Sequence, residues 1–146
     1  MISVRQLLDR KGRQVFSVAP GTAVLDAIRL MAERHVGALL VMQGDTLSGI
    51  VSERDYARKV ILMGHSSKET QVHEIMTSPV IFVTPDQAVE ECMDIITRNR
   101  IRHLPIMENN KVLGVVSIGD LVKWIVSEQE ETIEHLQDYI SSKSPT

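Results

Sequence analysis

The stretch Val18–Val24 (VAPGTAV) returns as Val83–Val89 (VTPDQAV), and this repetition decides the fold. The register, 65 residues from position 18 to position 83, continues without a gap as far as Val60 and Ile125. Most pairs exchange one apolar residue for another, and the pairs that stay identical include Pro20/Pro85, Ala23/Ala88, Val24/Val89, Leu39/Leu104, Gly49/Gly114, Val51/Val116, Ser52/Ser117 and Asp55/Asp120. A gapless register with matched polarity predicts two copies of one supersecondary unit.

A shorter match precedes each copy. Val4–Leu8 (VRQLL) is similar to Val72–Met76 (VHEIM), and here the separation is 68 residues, from position 4 to position 72. The first half therefore carries three more residues (68 against 65) between this lead-in and its first strand. They fall in the basic, glycine-containing loop Asp9–Gln14.

Each copy is predicted to have the order β-α-β-β-α. A short strand, Val15–Val18 or Val80–Val83, leads through a proline turn into a helix whose apolar residues follow the i, i+3, i+4, i+7 spacing of a buried stripe. Two aliphatic runs then predict a hairpin, and a last helix begins at Glu53 or Ile118. The stripe residues are Val24, Ala27, Ile28 and Met31 in the first copy and Val89, Cys92, Met93 and Ile96 in the second; the hairpin strands are Ala38–Met42 with Leu47–Val51 and His103–Met107 with Val112–Val116.

The chain divides accordingly. Residues 1–64 form the first repeat with its lead-in, 65–71 a polar linker, 72–126 the second repeat, and 127–146 a C-terminal helix with a frayed tail from Ser141. Gly64 is predicted to end the first copy's last helix, because glycine is favoured just past a helix C-terminus. Each half alone has little core, so we expect a mixed α/β (α+β) body of two pseudo-symmetric repeats, packed through their sheets or helices.

Composition excludes several classes of protein. The chain of 146 residues has a net charge of −3 and is 3% aromatic, which disfavours a general binder of nucleic acids or of membrane surfaces. Cys92 is the only cysteine and lies on a helical stripe, so we expect a core residue rather than a disulfide or a thiolate metal cluster. No signal segment or membrane span is evident, and the five histidines show no metal-site spacing, so we expect a cytoplasmic protein that needs no metal.

The motif Gly-x-Val-Ser-x-x-Asp ends a strand and opens a helix in both copies, at Ser52/Asp55 and at Ser117/Asp120. The free N–H groups of a first helical turn attract an anion such as phosphate, and a carboxylate suits the paired hydroxyls of a ribose. Ser-x-x-Asp is also close to a capping box, in which both side chains only satisfy the helix N-terminus. The sequence leaves both interpretations open.

These motifs, with the lead-in Val72–Thr77 (VHEIMT) and the strand Arg102–Ile106 (RHLPI), resemble the cystathionine-β-synthase (CBS) domain family. Two tandem copies form a Bateman module, and the resemblance extends to about Val126. It implies two CBS repeats packed through their sheets. It also implies AMP, ADP, ATP, NAD or S-adenosylmethionine as a ligand in clefts between the repeats, with AMP as our first expectation.

The resemblance implies two unequal clefts. In the first, Ser117 and Asp120 hold the ribose, and Arg102 and His103 reach the phosphate. Backbone near Val36, Gly37 and Ala38 meets the adenine, and the remaining residues are Gly12 and Arg13 at the rim and Pro105 on the same strand as His103. The second cleft draws on Ser52, Asp55, Thr77, Val80 and Ile101, with Arg54 as either a replacement cation or a solvated surface arginine.

The function expected from the sequence is therefore a stand-alone adenine-nucleotide sensor that acts through the orientation of its repeats. The apolar helices around Tyr56, Val60, Leu121 and Ile125 indicate a homodimer, and a regulated partner protein is expected. The alternative is a structural dimerisation module with vestigial clefts. Neither serine has an identifiable base and orienting group beside it, so an enzyme is not expected.

Overall fold

The computed structural model describes residues 2–143 and contains two copies of the expected unit. Its elements are α1 (Val4–Lys11), β1 (Ser17–Val18), α2 (Val24–Arg34), β2 (Ala38–Gln43), β3 (Thr46–Ser52), α3 (Glu53–Tyr56) continued by a π-helical turn (Ala57–Ile61), α4 (Val72–Ile75), α5 (Val89–Asn99), β4 (His103–Glu108), β5 (Lys111–Ser117) and α6 (Ile118–Lys143). The mixed α/β fold class predicted from the sequence is confirmed.

Helices α2 and α5 are equivalent, and each buries the predicted stripe. Cys92 on α5 is fully buried, and burial, helped by Glu91 and Glu90, raises the pKa of its thiol to about 11. Both helices end at a residue in the left-handed conformation, His35 (φ 56°) and Arg100 (φ 53°), whose N–H bonds back into the last turn. The similarity of the two copies therefore includes the residues that cap the C-termini of these helices.

Each hairpin is antiparallel, and the bulges lie at equivalent positions, after Val41 and after Ile106. The first strand of each unit is shorter than predicted. In the first copy only Ser17–Val18 pairs with β2, in parallel. The predicted strand Val80–Val83 is wrong as a strand: only Val83 bridges β4, through bonds of 3.0 Å to the Pro105 carbonyl and 2.9 Å from the Met107 N–H. Its neighbours Ile81 and Phe82 are exposed and belong to no strand.

The lead-in helices are exchanged between the two repeats. Helix α1 packs into the core of the second repeat, where Leu8 is fully buried, and the N–H of Val4 bonds the Gln87 carbonyl at 2.9 Å. Helix α4 packs into the core of the first, where Val72 is fully buried and its N–H bonds the Thr22 carbonyl at 2.8 Å. Truncating a buried leucine typically costs about 2–5 kcal/mol, so each exchange ties the halves together strongly.

Both faces of the first sheet carry buried side chains. Leu39 and Val41 on β2 join the core under their own helices, whereas Leu40 points to the opposite face and is buried as well. On β3, Ile50 exchanges backbone hydrogen bonds of 3.1 and 2.8 Å with Thr77 of the second half. The alternating side chains of a strand therefore serve both the intra-repeat core and the contact between repeats.

The linker and the C-terminus differ in part from expectation. The polar linker is fixed to the start of α2, because the carbonyls of Ser67 and Thr70 accept the N–H groups of Leu25 and Val24 at 2.9 Å. Gly64 lies at a positive φ of 71°, just past the π-helical turn. Helix α6 runs unbroken to Lys143, so fraying from Ser141 is wrong for residues 141–143. The rest of the predicted tail, 144–146, lies outside the described residues.

Replacing Gly49 by alanine is expected to destabilise the protein by about 1–3 kcal/mol, as overpacking does. A Cβ at this position would lie 2.5 Å from the Met76 Sδ and 3.1 Å from the Thr77 carbonyl oxygen, at the contact with the exchanged lead-in. Urea unfolding followed by circular dichroism measures the change. Gly21→Ala is the matched control, since nothing lies within 4 Å of its new Cβ. Equal stabilities of the two variants would contradict this close packing.

Candidate functional site

The corner between β5 and α6 is built as a capping box. The Asp120 Oδ2 accepts the Ser117 N–H at 2.8 Å, and the Ser117 Oγ accepts the Asp120 N–H at 3.1 Å. A third residue joins them from α1: the Lys11 Nζ lies 2.5 Å from the Asp120 Oδ2 and also donates to the Val115 carbonyl. Asp120 therefore caps its helix and pairs with a cation from the exchanged lead-in.

A cavity of about 380 Å³ opens beside this corner and is lined by both repeats. Gly37 has no side chain there, so the His103 ring approaches it closely; a Cβ at Gly37 would lie 3.5 Å from the ring. Seven of the residues named for the first cleft line this cavity: Gly12, Val36, Gly37, Ala38, His103, Ser117 and Asp120. The structure therefore brings together backbone of the first repeat and polar side chains of the second.

Three residues named for the first cleft do not line this cavity. Arg13 forms a 2.9 Å ion pair with Asp9. Arg102 is exposed, and its carbonyl accepts the Ile118 N–H at 2.8 Å. Pro105 is buried within the hairpin opposite Val115.

The sequence prediction missed Lys11 as a cavity residue. Its signal was present, since the loop Asp9–Gln14 is basic and carries the three extra residues, but only the exchange of α1 shows which corner the lysine reaches. The apolar residues that line the cavity were missed as well, because their strand pattern indicated only that they belong to the core. The further lining residues are Gln14, Val15, Phe16, His35, Leu39, Leu40, Ile50 and Val115.

The cavity places a carboxylate, an ammonium and an imidazole near one another. Burial, together with the charge of Lys11, lowers the pKa of His103, although Asp120 opposes the shift. Burial alone would raise the pKa of Asp120, but hydrogen bonds and charge from Lys11 and hydrogen bonds from Ser117 together hold it below its ordinary value. At neutral pH the site therefore contains an ionised acid, a lysine cation and a neutral histidine that an incoming anion would help to protonate.

At the equivalent corner between β3 and α3, the lysine that pairs with the aspartate comes from a different element. Ser52 and Asp55 form the same capping box, with bonds of 3.0 and 3.2 Å, and the Asp55 Oδ1 pairs with the Lys59 Nζ at 3.1 Å. Lys59 also bonds the Ile75 carbonyl, and Arg54 reaches the Arg100 carbonyl at 3.0 Å. The cation comes from the corner's own helix rather than from a lead-in loop.

The other residues named for the second cleft make contacts of their own. Thr77 is held by its bridge to Ile50, Val80 is half-buried, and Ile101 packs against the second core. A second cavity, of about 460 Å³, lies at the far end of the β4–β5 hairpin, between Phe82 and Asn110. None of the residues named for either cleft lines it.

Comparison with known proteins now identifies the module. The family model of the CBS domain matches residues 4–61 and 72–127. The chain belongs to the CBS domain family. The two matched segments correspond to the two repeats, so the tandem CBS pair expected from the sequence is confirmed.

Known relatives and solved structures agree with this assignment. The mitochondrial CBS domain-containing protein CBSX3 of Arabidopsis thaliana is 44% identical over 122 residues, which cover 80% of this chain and 59% of that protein. The protein YhcV of Bacillus subtilis is 31% identical, over 77% of this chain and 80% of its own length. A solved CBS-domain structure from Burkholderia ambifaria has a TM-score of 0.85 at 50% identity, covering 88% of this chain and 96% of that one.

The CBS pair spans just over half the length of the plant relative and 23% of another Arabidopsis protein, CBSCBSPB2. Over residues 2–143, no helix is both long and apolar enough to span a bilayer. Within the same part of the chain, no cluster of three His, Cys, Asp or Glu side chains is arranged to bind a metal. The predicted cytoplasmic location stays a prediction, and one relative is named as mitochondrial.

Lowering the pH from 7.5 to 5.5 is expected to reduce stability in part through His103. Because its pKa in the folded state lies below the ordinary 6.5, the unfolded chain takes up a proton in this window while the folded chain resists it. Stability is therefore present above about pH 6.5 and is lost as the pH falls toward the folded-state value. The His103→Gln variant should show a flatter pH dependence in urea unfolding, whereas exposed His135→Gln should match the unmodified chain; parallel curves for all three would refute the assignment.

Proposed function

We propose that this CBS pair is a regulatory module that binds an adenine nucleotide in the cavity at Asp120. The observation that supports it is the cavity itself, which is lined by both repeats. It combines a carboxylate, two basic side chains and the backbone at the start of a strand. A ligand that contacts both repeats can favour one relative orientation of them, provided that the two orientations bind it with different affinity. A regulated protein or a second copy then responds to that orientation.

The cavity walls suit a purine ring. Leu40, Ile50 and Val115 supply apolar surface from both sheets, and Val36 adds more from the turn before β2. Gly37 leaves room for a flat group beside His103. The volume of about 380 Å³ lies in the range of small-ligand sites. Backbone near Ala38 borders the cavity and would meet the adenine edge.

The polar end suits a ribose monophosphate. Asp120 can accept hydrogen bonds from two vicinal hydroxyls once Lys11 leaves its oxygen, and Lys11 can then pair with the phosphate. His103 would supply a second cation by taking up a proton. One lysine and one histidine balance a monophosphate better than a triphosphate, so AMP is the ligand we favour, with ADP, ATP and NAD as further candidates.

Solved CBS structures provide precedents in other proteins. The CBS domain pair of MJ0100, which shares this fold at 18% identity and a TM-score of 0.78, was solved with 5′-methylthioadenosine and S-adenosyl-L-methionine. A CBS-CP12 protein from bloom-forming cyanobacteria, 26% identical with a TM-score of 0.74, is hexameric. For this chain we propose an adenine ligand without a metal, and self-association as at least a homodimer.

A structural module with vestigial clefts is the second candidate. The observation that favours it is that both Ser–Asp pairs already satisfy their own helix N-termini, while Lys11 and Lys59 occupy the acids. In that case no nucleotide would compete successfully for Asp120. We propose no catalysed reaction, because the Ser117 hydroxyl is engaged in the cap of its helix.

Asp120→Asn is expected to weaken AMP binding by at least about tenfold, equivalent to about 1.4 kcal/mol, because it removes the charged acceptor for the ribose. The amide keeps an oxygen for the cap, so the fold should persist. Isothermal titration calorimetry measures the affinity, and thermal melting with and without AMP checks it independently.

Asp55→Asn is the matched control, since it makes the same change at the equivalent corner and should leave AMP affinity unchanged. Absence of binding by AMP, ADP, ATP and NAD to the unmodified chain would favour the structural candidate. Equal affinities of the two variants would remove Asp120 from the site.

A further inference from the structure

The ion pair between Lys11 and Asp120 crosses from the exchanged helix α1 to the first turn of α6. The Lys11 Nζ lies 2.5 Å from the Asp120 Oδ2 and also donates to the Val115 carbonyl. The two side chains are shielded from solvent over most of their surface, since Lys11 is 33% and Asp120 26% exposed. Water therefore screens this pair less than it screens a pair on the open surface.

Lys11 and the ribose of the proposed ligand need the same carboxylate oxygen. The Asp120 Oδ2 accepts the Ser117 N–H at 2.8 Å as well as the Lys11 ammonium. One carboxylate oxygen accepts about two hydrogen bonds, so Oδ2 is fully engaged. A pair of ribose hydroxyls that spans both oxygens of Asp120 therefore binds only after Lys11 has left.

A displaced Lys11 requires another anion. Among the described residues that line the cavity, Lys11 is the one lysine or arginine and Asp120 is the one aspartate or glutamate. His103, the nearby base, offers the ammonium no negative charge. A phosphate on the ligand supplies the missing anion, whereas an uncharged nucleoside does not.

We propose that Lys11 competes with the ligand for Asp120 and thereby selects adenine nucleotides that carry a phosphate over uncharged adenine nucleosides, such as adenosine and 5′-methylthioadenosine. This inference rests on the proposed nucleotide site. A nucleotide exchanges one ion pair for another, because Lys11 moves from the carboxylate to the phosphate. A nucleoside breaks the ion pair and replaces it with nothing, so the same base and ribose bind less tightly.

The same competition disfavours S-adenosylmethionine. Its sulfonium cation is attached to the ribose carbon that carries the phosphate in AMP, so it would bring a positive charge toward the displaced ammonium. Like charges placed together in a partly enclosed site cost free energy. The selected ligand class is therefore defined by an anion next to the ribose.

The second acceptor of Lys11 allows this exchange. An ammonium group has several N–H donors, so Lys11 can release Asp120 while it keeps its bond to the Val115 carbonyl. Its Nζ then stays beside the cavity, within reach of a phosphate. At the other corner, Lys59 and Asp55 pair within one helical segment and neither lines the cavity, so the same exchange is not expected there.

Lys11→Met in the full-length chain tests the selection, with AMP and adenosine as probes in isothermal titration calorimetry. The ratio of the adenosine Kd to the AMP Kd should fall by at least about tenfold. Adenosine should also bind about threefold more tightly than it does to the unmodified chain, as expected when a partly exposed ion pair no longer has to be broken. That gain is decisive, because damage to the fold would weaken binding.

Two further variants serve as controls. Lys11→Arg keeps the cation and should retain the preference for AMP, and Lys59→Met makes the uncharged replacement at the other corner and should leave both affinities unchanged. Thermal melting of each variant checks that the chain is folded.

Other results would overturn the selection by Lys11. If Lys11→Met binds AMP more weakly and adenosine as before, the lysine is a phosphate contact and does not compete for Asp120. Weaker binding of both ligands would make its role structural, and an unmodified chain that binds adenosine as tightly as AMP would show no selection. An unmodified chain that binds neither ligand would instead refute the nucleotide site itself, an outcome distinct from these because each of them includes measurable AMP binding by the unmodified chain.

Discussion

The exchange of lead-in helices is the constraint on which the rest of the structure depends. Neither repeat completes its core alone: the second requires Leu7 and Leu8 from α1, and the first requires Val72 and Ile75 from α4. Glycine is needed where each exchanged segment crosses the opposing hairpin, since Gly114 faces Leu8 as Gly49 faces Met76. The relative position of the sheets, and with it the space between them, is therefore set by buried apolar contact rather than by surface pairs.

The same exchange gives the candidate site its chemistry. Helix α1 ends at Lys11 because Gly12, at a positive φ of 98°, turns the chain, and its N–H donates to the Leu8 carbonyl at 2.7 Å. The lysine is therefore held above Asp120 by a helix whose other end is buried in the second repeat. At the equivalent corner, Lys59 comes from the corner's own helix and also bonds the Ile75 carbonyl of the exchanged α4.

Much of the fold could be predicted from the sequence, because periodicity and repetition report local structure directly. The stripe with Cys92, the two hairpins and the helix starts at Glu53 and Ile118 agree with the structure. The strand at Val80–Val83 failed because an apolar run indicates a strand only where a neighbour is in register to pair with it. The exchange of lead-ins was not predicted, since sequence similarity shows that two segments are equivalent but not which core each one enters.

The lining of the cavity could also be predicted in part from the sequence. Residues that belong to a repeated motif, such as Ser117 and Asp120, lie together at the cavity, as does the backbone near Gly37. Arg13 does not line the cavity, and its guanidinium pairs with Asp9 one helical turn away. The spacing of a motif does not show which of several nearby partners a side chain will bind. Lys11 was missed for the opposite reason, since its partner lies more than a hundred positions along the chain.

The three extra residues before the first strand have a wider consequence. After a duplication, the two strand-to-helix corners begin with the same ability to bind a ligand. Any change to the shared Ser-x-x-Asp motif also affects the helix cap that the motif forms. A difference in loop length avoids that restriction, because it alters what approaches one corner while both caps stay intact. Divergence of the two halves can therefore begin outside the repeated motif.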